Sequence, residues 1–128
     1  MRLLLDTHIA LWAIADRAKL SAKAHDLIAD PDNIICISVA SIWEIAIKNA
    51  LGRRALPMTG AEALEVFDEA GYTVLAISSS HALAVEQLPA LHSDPFDRML
   101  VAQATTEPCL LLTRDRKLTA YGDMILRV

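Results

Sequence analysis

The chain has 128 residues, 54% of them apolar and only 22% charged, a composition that fits one globular domain over residues 1–128 with a well-buried core. A formal net charge of −4 argues against a sequence-indifferent coat for nucleic acid, which depends on many Lys and Arg contacts to phosphate, but leaves room for a local site where a metal ion offsets the acids. The longest apolar run, Ile9–Ala15, falls far short of the roughly 20 residues of a membrane span, and no basic leader with a cleavage site precedes it, so the expected location is cytoplasmic and off the membrane.

Arg2–Asp6 (RLLLD) reads as a short strand, and the following HIALWAIAD as a helix with Ile9, Trp12 and Ile14 on one face. Ser21 is a candidate N-cap, and Pro31 a stop, for a second helix over Ser21–Ala29. Asn33–Ser38 (NIICIS) reads as a buried strand, and Ser38–Gly52 (SVASIWEIAIKNALG) as a helix of about three turns ended by its glycine. A loop over Gly52–Met58 leads to a helix opened by Thr59 or Gly60, with Glu62, Glu65, Asp68 and Glu69 on its wet side and Leu64 and Phe67 inside. Tyr72–Ser78 reads as a third strand, Ser79–Pro89 as a short helix, and the stretch opened by Ser93-Asp94-Pro95-Phe96 as another helix. Cys109–Thr113 (CLLLT) is a strand, Asp115–Gly122 a short helical turn and Met124–Val128 a final strand. Strands apolar throughout, separated by helices, have no polar side to turn to water, which is the pattern of a parallel sheet covered on both faces. The expected fold is α/β: a three-layer α/β/α sandwich around a central, mainly parallel sheet. Cys36 and Cys109 each sit inside an apolar run with no C-x-x-C spacing, and read as small core hydrophobes, not as zinc ligands.

In an open parallel sheet, ligands bind beyond the carboxyl ends of the strands. Asp6 follows the first strand, Asp115 follows CLLLT, Glu44 lies about two turns into the helix after NIICIS, and Asp97 falls in the first turn of the helix opened by SDPF. Each also has a plainer use. Asp6 and Asp115 suit N-caps, Asp97 suits the third position of a helix capped by Asp94 with Pro95 first, and Glu44 suits a surface ion pair with Lys48 worth about 0.3–0.5 kcal/mol. Glu44, however, interrupts the apolar run SIWEIAIKNA, where a surface pair is out of place. Four such carboxylates meeting at about 5 Å would repel by on the order of 3 kcal/mol per pair at an effective dielectric near 20. They would have to take up protons or bind a cation. Oxygen ligands without Cys or His point to Mg²⁺ or Mn²⁺.

The segments LLLDTHIALW, SVASIWEIAIKNALG, HSDPFDRMLVAQA and LLTRDRKLTAYG, in that order and over essentially the full length, resemble the PIN-domain ribonucleases, specifically the VapC-type toxins of toxin–antitoxin pairs. The resemblance implies that Asp6, Glu44, Asp97 and Asp115 are the acidic quartet that holds the divalent ion, and that Thr7 is the small hydroxyl residue that helps orient the site. Asp94 matches an acidic position before the third acid, in a supporting role. The chain departs from the pattern at Arg116, where relatives often carry a proline. Arg114, Arg116 and Lys117 are candidate contacts to an RNA backbone or else solvated turn charges. The implied activity is metal-dependent hydrolysis of RNA phosphodiesters by Mg²⁺ or Mn²⁺; the implied partners are RNA, a VapB-like antitoxin over the acidic edge, and a second copy in a homodimer.

Two alternatives stand beside this. A phosphatase of the haloacid-dehalogenase type expects a second aspartate two residues after the first, where this chain has His8; a PIN-like module that only binds proteins expects a degenerate quartet. His8, His25 and His81 read as surface or packing histidines, while His92, just before SDPF, can help shape the site. Trp12 and Trp43 serve either the core or an apolar groove.

Overall fold

The computed structural model describes residues 1–52 and 58–128, so the centre of the expected loop over Gly52–Met58 lies outside the described residues. Five apolar segments pair as β1 (Arg2–Leu5), β2 (Ile34–Ser38), β3 (Thr73–Leu75), β4 (Leu110–Thr113) and β5 (Ile125–Arg127). They form one sheet in the order β3-β2-β1-β4-β5, every neighbouring pair parallel. The helices are α1 (Thr7–Ala15), α2 (Ala22–Ala29), α3 (Val39–Ala50), α4 (Gly60–Glu69), α5 (Ser79–Gln87) and α6 (Pro95–Thr106), with 3-10 turns at Arg17–Lys19 and Arg116–Tyr121.

Successive side chains of a strand point to opposite faces, and β1 shows why its sequence is apolar throughout. Leu3 and Leu5 join a cluster with Ile9, Ile37, Ile45 and Phe67 on one face, while Leu4 joins Cys36, Leu100, Val101, Leu111 and Leu118 on the other. The sheet is thus the middle of three layers, as expected, and both cysteines are buried packing residues. The helix starts follow the expected caps: Ser21 accepts the Ala24 amide, and Thr59 with Glu62 forms a reciprocal capping box. Gly52, at φ 71°, takes the left-handed conformation that closes α3.

The sequence and the structure differ in two places here. Leu64 is 42% exposed; the buried stripe of α4 is Gly60, Ala63 and Phe67. A Cβ at Gly60 would lie 3.2 Å from the Ala46 Cβ, so the two helices approach through small residues, which turns that stripe inward and Leu64 out. The third strand is only Thr73–Leu75, within the expected Tyr72–Ser78, because it is the sheet's edge and pairs with β2 alone.

The strand order also fixes where a ligand can enter. From β1 the chain winds outward through β2 to β3, then returns past β1 to β4, so the direction of winding reverses between β1 and β4. At such a switch point the loops leave in opposite directions and open a crevice at the carboxyl ends. Phe67→Ala is expected to cost about 3–5 kcal/mol in urea unfolding, as for a large buried side chain, whereas Leu64→Ala should stay within about 0.5 kcal/mol; equal losses would place Leu64 in the core.

Candidate metal centre

The crevice is lined by helix starts, and the acids at those starts use their two oxygens differently. Asp6 caps α1: its Oδ1 accepts the Ile9 amide at 2.8 Å, and its Oδ2 accepts the Thr113 hydroxyl. Asp115 opens the 3-10 turn Arg116–Tyr121: its Oδ1 accepts the Lys117 amide at 2.9 Å, and its Oδ2 lies 2.9 Å from Nε2 of His92. Thr113, at the end of β4, accepts the Asp115 amide at 3.0 Å while donating to Asp6, so one buried hydroxyl joins two of the acids. Capping and a place in the site are therefore compatible for both residues. Arg116 simply begins the turn, a first position where either proline or arginine is accommodated.

Glu44, on α3, is buried at 4% exposure. Thr7 donates to its Oε1 at 2.7 Å and also lies 3.0 Å from the Ser41 hydroxyl, while Lys48 donates to Oε2. The pair with Lys48 forms as the spacing suggests, but around a buried carboxylate, not on the helix surface. Asp94 caps α6, its Oδ1 accepting the Phe96 amide at 2.8 Å and the Asp97 amide at 3.2 Å, with Pro95 in the first turn. That leaves the Asp97 carboxyl to face His92, whose Nε2 is 3.7 Å from its Oδ2. Ligand atoms of His92, Asp97 and Asp115 all lie within 4.8 Å of one another.

Electrostatics ties the remaining acids to this group. Asp97 is pushed up to about 7, by burial first and then by the negative charges of Asp94, Asp6 and Glu44, against an opposing pull from His92. Burial likewise raises Asp6, outweighing the hydrogen bonds from Thr113 and Ile9. Burial acts upward on Asp115 too, but its hydrogen bonds from Lys117 and His92 together bring it below the ordinary carboxylate value. Asp6, Glu44, Asp97 and Asp115 thus gather at one edge, with Asp97 and Asp115 around His92, and Asp6 and Glu44 close enough for Asp97 to feel their charge. Carboxylates from separate elements, one with its proton retained by burial first and by its anionic neighbours second, are a donor set suited to a hard divalent cation.

Two participants carry little signal in the sequence alone. Thr113 closes an apolar strand on a polar residue, and Ser41 falls with Glu44 at i−3 on one helix face, as the expected partner Lys48 does at i+4; only those positions point to them. Arg114, Arg116 and Lys117 are exposed beside Asp115, with the Arg114 guanidinium 5.3 Å from the Trp12 ring centroid, a cation–π distance. The tryptophans divide: Trp12 packs against the core, whereas Trp43 is 58% exposed and meets Phe96 edge-on at 5.3 Å. His8 and His25 are exposed and His81 is buried.

Comparison with known proteins gives consistent matches. The PIN domain family model matches residues 3–124. Ribonuclease VapC22 of Mycobacterium tuberculosis is 30% identical over 118 residues, 92% of this chain and 90% of that protein. Among solved structures, VapBC2 from Rickettsia felis, bound to a DNA fragment from their promoter, superposes with a TM-score of 0.72 at 17% identity, covering 100% of this chain and 98% of that one. DNA-bound VapBC from Salmonella typhimurium gives 0.71 at 18% identity, covering 99% and 98%. At these identities the structural likeness speaks for the fold.

Asp97 keeps its proton to about pH 7 when folded, against an ordinary value of 3.8, so between those values the native state binds more protons than the unfolded one. The stability of the metal-free protein therefore falls as pH rises through that window. Asp97→Asn is expected to raise Tm at pH 8 by about 3–6 °C, corresponding to on the order of 1 kcal/mol, and to leave it unchanged at pH 4. Calorimetry in chelator measures this; a variant that tracks the wild type at every pH would place the repulsion elsewhere.

Proposed function

Because the chain belongs to the PIN domain family as a relative of the VapC ribonucleases, we propose that it is a divalent-metal-dependent endoribonuclease, acting as the toxin of a type II toxin–antitoxin pair in the cytoplasm, with its active site at the acidic edge beyond β1 and β4. The observation that supports this reading is the meeting of Asp97 and Asp115 around His92 at the switch point, with Asp6 and Glu44 close enough for Asp97 to feel their charge, in a corner whose burial first and negative charge second push Asp97 up to about 7. The alternative of a binding module without catalysis finds no missing acid to support it. The phosphatase alternative requires a second aspartate where His8 stands exposed, and the family match gives it no support.

In this reading Asp6, Asp97 and Asp115 hold the ion through carboxylate oxygens, Glu44 completes the quartet, and Mg²⁺ and Mn²⁺ both suit such donors. When bound, the ion supplies Lewis acidity to the phosphodiester and lowers the pKa of the attacking water. The chain's own part is to keep these oxygens in place. The Ile9 amide and Thr113 hydroxyl fix Asp6, Thr7 and Lys48 fix Glu44, and Asp94 fixes the turn that carries Asp97. A site held rigid before substrate arrives does not spend binding energy on rearrangement during the reaction. Arg114, Arg116 and Lys117 supply positive charge beside Asp115 for the backbone of the RNA.

The VapBC assemblies among the structural neighbours support a VapB-like antitoxin as partner; its seat over the acidic edge and a homodimer are what the family resemblance implies. Among the described residues no helix is long and apolar enough to cross a membrane. Purified protein is expected to cleave single-stranded or looped RNA with Mg²⁺ or Mn²⁺, and Asp97→Asn to lower the rate by at least about 10²-fold, the order seen on removing one group that stabilises transition-state charge. Undiminished cutting by that variant in excess chelator would overturn the proposal, and no cutting by the wild type with either ion would favour the binding module.

A further inference from the structure

The residue that stands between Asp97 and Asp115 is not an acid. His92 offers Nε2 at 2.9 Å from Asp115 Oδ2 and 3.7 Å from Asp97 Oδ2, which on distance alone makes it a candidate ligand. Its other nitrogen decides otherwise. Nδ1 accepts the backbone N–H of Asp94 at 3.1 Å, so the Nδ1 lone pair is in use and the ring hydrogen of the uncharged imidazole sits on Nε2. A nitrogen that carries hydrogen has no lone pair for a cation, but it is a donor, and Asp115 Oδ2 lies at donor distance. We propose that His92 is a positioning residue: a strut that runs from the Asp94 amide through the ring to Asp115 and sets that carboxylate for the metal centre without ligating the ion itself. This rests on the metal-centre reading of the edge.

The same device occurs where no cation is in question. His81 accepts the Ser78 amide on Nδ1 at 3.0 Å and presents Nε2 to Glu107 Oε1 at 3.0 Å, tying α5 to the end of α6. In both cases one ring nitrogen takes a nearby amide and the other reaches a carboxylate far along the chain, 26 residues away for His81 and 23 for His92. His92 has more to do, since the Asp115 side chain is 36% exposed whereas that of His92 is 12% exposed. Without the ring, Asp115 keeps the Lys117 amide on Oδ1, and its Oδ2 is left to solvent. The turn before α6 and the turn after β4 are thereby coupled. Asp94 serves both ends of this arrangement, because its side chain caps α6 while its amide fixes the histidine tautomer.

Nitrogen-15 NMR of the imidazoles in the metal-free full-length protein is expected to show His92 protonated at Nε2 and bare at Nδ1, with His81 as the internal standard for this pattern. A ring protonated at Nδ1 and bare at Nε2 would overturn the proposal. In the Mn²⁺-loaded protein, pulsed EPR is expected to show no coupling from a directly bound imidazole nitrogen; such a coupling would make His92 a ligand. His92→Leu is expected to weaken Mn²⁺ binding by about tenfold, as for loss of an outer partner, and His92→Gln, which retains an N–H donor, to restore most of it; Mn²⁺ affinity unchanged in His92→Leu would also overturn the strut. A wild type that binds no Mn²⁺ would strike at the nuclease reading, leaving the NMR pattern to decide the role of His92.

Discussion

A carboxylate has two oxygens, and at the carboxyl edge of this sheet they serve separate ends. In Asp6 and Asp115 one oxygen accepts an amide at the start of the following helical turn, and the other meets a side chain from another element, Thr113 or His92. An N-cap contributes about 0.5–2 kcal/mol, which offsets part of the repulsion, on the order of 3 kcal/mol, between two carboxylates at about 5 Å under an effective dielectric near 20. Capping therefore helps to hold acids where their own charges would drive them apart. Glu44, away from any helix start, is held instead by Thr7 and Lys48. Asp97 gives no carboxyl oxygen to a backbone amide, and it is the acid that is pushed up to about 7.

The register of the sheet explains why these groups meet. Leu5 aligns with Ile37 on one side and Leu112 on the other, so the next residue of each chain segment, Asp6, Ser38 and Thr113, reaches the edge at the same level. All three are polar and buried. The contact between Thr113 and Asp6 spans 107 residues of sequence, yet it follows from a one-residue step beyond an aligned apolar pair. The strands thus do more than form a core: their common length brings three polar ends level, and the reversal of winding between β1 and β4 opens the space above them.

Much of this could be read from the amino acids. Three apolar runs each ending on a polar residue, RLLLD, NIICIS and CLLLT, anticipate the strands and the level edge, and Ser21, Thr59 and Asp94 anticipate helix starts through local chemistry that needs no tertiary information. What stayed hidden depends on which segments come together. Leu64 looks like an inner residue until the small stripe of Gly60 and Ala63 brings α4 against α3 and turns it out. Trp43 has core chemistry but lies 58% exposed, because the inner side of α3 is taken by Ala40, Ser41, Glu44 and Ile45. Lys48 is legible as a partner of Glu44 from spacing, but the burial of that pair depends on α1, which delivers Thr7 from 37 residues away. His92 shows the limit most clearly: both its partners, the Asp94 amide and the Asp115 carboxylate, are fixed by turn geometry that a string of letters does not contain.

Charge at the edge is balanced in layers. Lys48 meets Glu44 directly, hydrogen bonds from Thr113 and His92 spread the charge of Asp6 and Asp115, and Asp97, buried and facing the remaining excess of negative charge, retains a proton. A divalent ion beside Asp97 would answer the same excess, so proton and cation compete for one carboxyl, and metal binding must release the proton. Near neutrality the proton is itself half released, because it is held only to about pH 7. The burial that raises Asp97 is also what strengthens the attraction of the corner for a cation, since both follow from removing water around like charges. An Asp97 moved toward solvent would give up its proton more readily and, in the proposed metal centre, would hold an ion less tightly.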